Sequence, residues 1–333
     1  MPGNPINYNG KKIVAIKNIS KVALLTWVIN NICTNSCSYC PSNLHNGTNH
    51  HYDWDHARKF IEQCFEKYGN IQCNLSGGEP TVSPFFKELV NLIYEKGGTI
   101  NLTSNLARTK DWWEDIVDKL GVISVSYHPE FMQTKEKEDE FIDKILFLTK
   151  RTRISVRVMM LPSHWDQCIN FYERIKEVND SYCIELVRVL PNFGIGTNFC
   201  EINYTPEQDY ILNNTPPILK FGYLPPGFRH VQINSRIIYE DGHTEPLDFR
   251  VSSVLENTQS TDFSGWSCDV GLESIFVHYD GRVQRGNCAE GGWIGSIMET
   301  VDWPTDSIIC NKTVCHCIAD VMLTKKLTHD LHK

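Results

Sequence analysis

At 333 residues, 41% of them hydrophobic and 22% charged, the chain has the composition of a soluble protein with room for a large core and an extension. The formal net charge is −8 and no run of Lys and Arg stands out, so a nucleic-acid partner or an anionic membrane surface is not expected. Thirteen cysteines form an odd set with no secretory leader, which argues against a disulfide framework and for metal-binding thiols.

Residues 1–21 read as an N-terminal extension. They carry no apolar leader segment, and the longest apolar stretch, Val22 to Ile29, is too short to cross a bilayer. A cytoplasmic location with no membrane contact is therefore expected.

From 22 to 190 strand and helix patterns alternate. Strands are expected near 22–30, 70–76, 99–105, 122–128, 153–160 and 183–190. Helices are expected near 54–68, 84–96, 111–120, 138–150 and 164–178. The second helix is punctuated by Ser83 as a cap, Pro84 in the first turn and Gly97-Gly98 at the end. Cys64 and Cys168 fall on apolar helix stripes and Cys73 on an apolar strand face, so these three read as buried structural thiols.

Such βα repeats imply a parallel sheet with right-handed crossovers. The strands alternate where fully covered ones would be apolar throughout. Ser124, Ser126 and His128 oppose Ile123, Val125 and Tyr127, while Arg153, Ser155 and Arg157 oppose Ile154, Val156 and Val158. Helices cover the apolar faces, so the polar faces should line a lumen. The expected fold is α/β, a partial (β/α)6 TIM-like barrel.

Residues 191–229 are rich in Pro, Gly and Asn and read as a linker. From 230 to 333 a small α+β, cysteine-rich domain is expected, with hairpin turns at Asp241-Gly242 and Asp280-Gly281.

Two motifs carry chemistry. Cys33, Cys37 and Cys40 lie on one short loop after the first strand, where a parallel barrel presents its active-site loops. Three thiolates hold three irons of a 4Fe–4S cube and leave the fourth open, whereas an electron-transfer cluster normally has four cysteines. Ser76-Gly77-Gly78-Glu79-Pro80 ends the second strand, with glycines that permit close approach and a carboxylate that suits an ammonium group.

With these motifs the chain resembles the radical S-adenosylmethionine superfamily. The CxxxCxxC loop with an aromatic before its last Cys is matched by Cys33, Cys37, Tyr39 and Cys40, and the GGE motif by Gly77, Gly78 and Glu79. The resemblance implies S-adenosylmethionine chelating the open iron, with Glu79 and the Gly77–Gly78 backbone on its amino group and Tyr39 near the adenine. It implies ribose and carboxylate contacts from Ser104 or Asn105, Ser126 and Arg157. It also implies a low-potential electron donor such as flavodoxin or ferredoxin.

Cys268, Cys288, Cys310, Cys315 and Cys317 resemble the auxiliary-cluster extensions called twitch or SPASM domains. Five cysteines, where the full SPASM pattern has seven, imply one auxiliary 4Fe–4S cluster, with Cys268, Cys288, Cys315 and Cys317 the favoured ligands. Zinc with His316, His329 or His332 is the rival reading. His128 and Glu130, at the mouth of the cavity, are candidates for acid–base or substrate contact, and Cys183 or Cys200 for hydrogen donation.

The expected activity is reductive cleavage of S-adenosylmethionine and hydrogen abstraction from a polar small molecule, by dehydrogenation, epimerisation or rearrangement. A peptide substrate is the alternative, set back because only about 20 residues precede the first strand. Nucleotide modification and a non-catalytic iron–sulfur or zinc protein are further alternatives.

Overall fold

The computed structural model describes residues 3–47, 51–178, 181–189, 202–220, 222, 228–229, 233–248, 251–252, 255, 260–315 and 317–328. The chain opens with β1 (Ile6–Tyr8) and β2 (Lys11–Asn18), an antiparallel pair turned through Asn9 and Gly10, both at positive φ.

The expected alternation follows: β3 (Ala23–Val28), α1 (Trp54–Tyr68), β4 (Ile71–Ser76), α2 (Phe86–Glu95), β5 (Thr99–Ser104) and α3 (Lys110–Glu114). It continues through β6 (Val122–Tyr127), α4 (Lys135–Leu148), β7 (Arg153–Met159), α5 (Trp165–Glu177) and β8 (Cys183–Val187). Strands β3 to β8 pair in sequence order and every pair is parallel. This is the six-strand partial barrel that the pattern implied.

The helices form because their caps and stripes agree. Asp53 accepts from His56 N at 3.1 Å to start α1, which buries Ala57, Phe60, Ile61 and Cys64. On α5, Cys168, Phe171, Tyr172 and Ile175 face inward. Cys64, Cys73 and Cys168 are all fully buried, as their spacing suggested. The alternation holds too: in β7, Ile154, Val156 and Val158 are buried while Arg153, Ser155, Arg157 and Met159 are half-exposed.

Two local expectations are corrected. Ser83 does not cap α2; it closes a preceding turn, and the helix starts at Phe86 with no side-chain cap. The helix expected over 111–120 is α3 plus a separate turn at Val117–Lys119, because its apolar residues Trp113, Ile116 and Val117 already reach the core from that shorter arrangement.

The remaining elements are α6 (Pro206–Asn214), β9 (Ser235–Tyr239), β10 (Thr244–Leu247), β11 (Trp266–Cys268), β12 (Ser274–Val277), β13 (Arg282–Gln284), β14 (Trp293–Ser296), β15 (Ile308–Ile309), α7 (Ile318–Val321) and β16 (Lys325–Leu327). Both Asp-Gly turns occur where expected, with Gly242 and Gly281 at positive φ. The hairpin of β12 and β13 does not stand apart: β12 runs parallel to β3, so the barrel sheet extends past its first strand as β14-β13-β12-β3.

The N-terminal segment is likewise built in. β2 lies between β9 and β16 in a second sheet, and Ile13 and Ile16 join a separate core with Ile237, Trp266, Val321, Met322 and Leu323. The strand was hidden because Ile13 and Ile16 are three apart; a register shift between Ile13 and Ala15 turns both inward despite that spacing.

Candidate metal and cofactor site

The chemistry-bearing residues gather at the C-terminal ends of the barrel strands. The segment leading out of β3 is stitched to the end of β4. Gly78 N donates to Asn30 O at 3.0 Å, Glu79 N to Ile32 O at 2.8 Å, and Asn30 Nδ2 returns a bond to Glu79 O at 3.1 Å. The paired glycines make this approach possible. A Cβ on Gly78 would stand 2.3 Å from Ile32 O and 2.5 Å from Leu44 O. Their close contact is therefore with the cysteine-bearing loop itself.

Glu79 is fully buried, and its carboxylate accepts four bonds. Oε1 takes Thr81 N at 3.1 Å, Thr81 Oγ1 at 2.6 Å and Ser104 Oγ at 2.9 Å; Oε2 takes Asn105 N at 2.7 Å. Burial pushes this carboxyl up from its usual range, while the Thr81, Asn105 and Ser104 donors pull it back toward the ionised form. Three donors crowd Oε1, while Oε2 takes one and keeps acceptor capacity. In this structure Glu79 locks the Gly-Gly turn to the end of β5.

The three loop thiols are neighbours. Burial pushes Cys37 up to about 12, with Cys40 and Cys33 adding to the rise, and pushes Cys40 up to about 11, with Cys33 adding. Cys33 is raised mainly by burial as well. Three adjacent thiols held neutral by burial suit a metal, since ligation supplies the positive charge that lets them ionise. Among the described residues no three His, Cys, Asp or Glu side chains close on one point as ligands of a single ion would. A polynuclear cluster takes each thiolate on a different iron and does not require that closure. The donor set therefore fits a three-cysteine 4Fe–4S cluster.

Asn105 joins β5 to the same loop: its Nδ2 donates to Thr34 Oγ1 at 2.9 Å and lies 3.7 Å from Cys33 Sγ. Tyr39 is buried with Cys37, Leu161 and Val189, and its hydroxyl lies 2.6 Å from His128 Nδ1. Cys37 Sγ is 3.5 Å from that nitrogen. Burial lowers His128 to about 4, so the imidazole is neutral near pH 7. Glu130 Oε2 accepts from Ser38 N at 2.8 Å. Both candidate acid–base residues thus contact the cluster loop through groups on that loop.

The other expected contacts divide. Ser104 is buried and engaged with Glu79, and Ser126 is buried at the end of β6. Arg157 faces the lumen, with Nε 3.6 Å from Glu185 Oε2 across the β7–β8 pair; both are about 40% exposed, so the pair adds little stability. The lumen also carries Asn74 and Asn101, joined at 3.0 Å, and the exposed Thr103. Asn101 Oδ1 and Arg157 Nε have no hydrogen-bond partner although buried.

In the second core, Cys268, Cys288, Cys310 and Cys315 line one cavity with Asp320 and Lys325. Cys317 does not line it; it precedes α7 as the N-cap. Cys310 is brought in beside Cys268 by the short β11–β15 pairing, and Cys317 stands close to Cys315 and Asp320 at the edge of the same group. His316, His329 and His332, the nitrogen ligands of the zinc reading, lie outside the described residues, as does Cys200. Cys183 Sγ points to Lys220 O at 3.6 Å. Sequence reasoning missed Asn30, Thr81 and Lys325; the first two stand beside the motifs, but nothing in their spacing marked them.

Residues 27–177 match the family model of the Radical SAM superfamily. No curated protein matches the chain in sequence. Among solved structures the fold is similar to that of Streptococcus suis SuiB bound to S-adenosylmethionine, at 13% identity and a TM-score of 0.50, over 84% of this chain and 64% of that one. The chain thus spans less than two thirds of SuiB. It is also similar to native anSMEcpe with bound AdoMet and Cp18Cys peptide, at 13% identity and a TM-score of 0.50, over 84% of this chain and 78% of that one.

Proposed function

With residues 27–177 belonging to the radical S-adenosylmethionine superfamily, we propose that the protein is an enzyme that cleaves S-adenosylmethionine at a cluster held by Cys33, Cys37 and Cys40 and acts on a polar substrate in the barrel lumen. The observation that carries this reading is the joining of the three-thiol loop to the Gly77-Gly78-Glu79 turn at the strand ends, by bonds at 2.8 to 3.1 Å. When bound there, a reduced cluster supplies the electron that splits the sulfur–C5′ bond, giving methionine and a 5′-deoxyadenosyl radical that takes a hydrogen atom.

The chain's own residues position and exclude. Gly77, Gly78 and Asn30 fix the loop's approach, Asn105 holds Thr34, and the pair of His128 and Glu130 fixes Tyr39 and Ser38. Arg157 and Ser126 are the cofactor contacts this reading retains, with a cofactor carboxylate taking the place of Glu185 beside the Arg157 guanidinium. Tyr39, half of the stacked pair with His128, closes the far side of the cluster loop.

Cys268, Cys288, Cys310 and Cys315 would hold one auxiliary 4Fe–4S cluster. Four thiols on one cavity match the ligand count of a closed cluster. The polar lumen, with the unpaired Asn101 Oδ1 and the Arg157–Glu185 pair, suits a hydrophilic small molecule. A peptide is the second reading, favoured by the fold shared with anSMEcpe, whose structure holds a peptide.

Anaerobic reconstitution, iron and sulfide analysis and chromatography after adding S-adenosylmethionine and reductant test the proposal. The expected result is 5′-deoxyadenosine with about eight irons per chain, and loss of that product in Cys40→Ala. Fully loaded protein that yields no 5′-deoxyadenosine, with small-molecule and peptide candidates present, would refute it.

A further inference from the structure

Lys325, the first residue of β16, is 2% exposed in a chain whose other lysines lie mostly at the surface. Its ammonium donates to the carbonyls of Asp320, Val321 (3.3 Å) and Leu323 (3.4 Å), around the end of α7. It stands 5.0 Å over the Phe263 ring and lines the cavity ringed by Cys268, Cys288, Cys310 and Cys315. Asp320, equally buried, lines the same cavity and accepts from Cys288 N at 3.0 Å.

A lysine can donate three hydrogen bonds, and the three carbonyls satisfy them without supplying a negative charge. A buried charge that is hydrogen-bonded but not matched remains costly. Asp320 in the same wall offers one negative charge, and the thiols on the cavity offer more once they are ionised on a cluster. Four thiolates on a 4Fe–4S cluster carry net negative charge, and one further electron makes it more negative.

We propose that Lys325 is a built-in countercation for an auxiliary cluster on Cys268, Cys288, Cys310 and Cys315, and that it raises the reduction potential of that cluster. Asp320, of opposite charge in the same wall, works against it. Lys325 is a positioning residue in this sense: it shares the cavity wall with the four thiols and sets how readily the cluster takes an electron. The inference rests on the auxiliary-cluster reading and goes beyond it, because ligation alone assigns no role to a buried cation.

The test uses the full chain with Cys33, Cys37 and Cys40 all replaced by Ala, so that only auxiliary iron remains. Iron content and the midpoint potential, followed by electron paramagnetic resonance, are compared for Lys325→Gln, Lys325→Arg and Asp320→Asn. Gln removes the charge and keeps two of the three donors, and Lys325→Arg controls for the hydrogen bonding. The expected result is a shift to more negative potential in Lys325→Gln, little shift in Lys325→Arg, and a shift to more positive potential in Asp320→Asn. Should Lys325→Gln lose its iron while Lys325→Arg keeps it, the charge is what the site requires, and the proposal stands. Iron present with an unmoved potential in Lys325→Gln overturns the proposal alone, as does equal loss of iron in both lysine variants with Asp320→Asn unmoved. No iron in the triple-alanine parent overturns the auxiliary-cluster reading as well.

Discussion

Glu79 shows how a single residue can hold a motif together from inside. Four donors converge on a carboxylate with no solvent exposure, so replacing one oxygen by an amide nitrogen sets a donor against a donor. Glu79→Gln is expected to cost about 1–3 kcal/mol in the apo-protein, measured by denaturant unfolding. Unchanged apo stability with lost S-adenosylmethionine binding would instead return Glu79 to direct contact with the cofactor. Gly78→Ala strikes the same joint from outside. Its Cβ meets two backbone carbonyls that cannot rotate away, so the cysteine loop must move. A displacement on the order of 1 Å at a reacting centre costs about a hundredfold in rate, and 5′-deoxyadenosine formation should fall by about that factor. The glycines and the carboxylate were legible in the sequence as a motif. Their partner Asn30 was not, and Ser104 was read only as a cofactor contact, because hydrogen bonds across the strand ends depend on register, and no spacing within one segment encodes it.

At the scale of elements, the barrel strands were readable because each must hide one face under helices and turn the other to the lumen. Ser124 opposite Ile123 and Arg157 opposite Val156 are the visible trace of that division. The cysteine loop is an element with no periodicity of its own, and its order comes from the end of β6. Ser38 donates its backbone N–H to Glu130, while Tyr39 and Cys37 meet at His128. If these contacts position the loop, His128→Ala should lower iron loading at the loop several-fold and lower 5′-deoxyadenosine in proportion. If His128 instead works on the substrate, iron and cofactor cleavage should survive and only substrate conversion should be lost. Iron per chain in a variant with Cys268 and Cys288 replaced by Ala, where only loop iron counts, separates the two. The end of the second helix pattern teaches the converse lesson. Ser83 and Pro84 carried full cap chemistry, yet a turn that follows Glu79 uses Ser83 first, and tertiary demand at the motif outranks local propensity.

The whole molecule has two main cores, each built on its own sheet. The larger lies between the barrel strands and helices; the smaller packs β2, β9, β11 and α7 around Ile13, Ile16, Trp266 and Val321. Sequence order concealed this because β2 pairs with β9 and β16, partners more than 200 residues away along the chain. The smaller core gathers fewer buried residues than the larger, and small units commonly depend on a metal or other staple. Four cysteines at its cavity, on β11, after β13, after β15 and before α7, tie together segments that otherwise meet through only short strands. Ligand binding to a site formed only in the folded state contributes directly to folding. Chelating the iron from anaerobic protein should therefore open amides of β9, β11 and β16 to hydrogen exchange while those of β4 to β7 stay protected. Ile16→Ala, at an expected cost of about 2–5 kcal/mol, should reproduce that pattern without any chelator and should release auxiliary iron in preference to iron at Cys33, Cys37 and Cys40. Exchange that rises evenly through both sheets would mean that the two cores unfold as one unit. The short connection from β11, in the smaller core, to β12, in the larger, would then be what couples them.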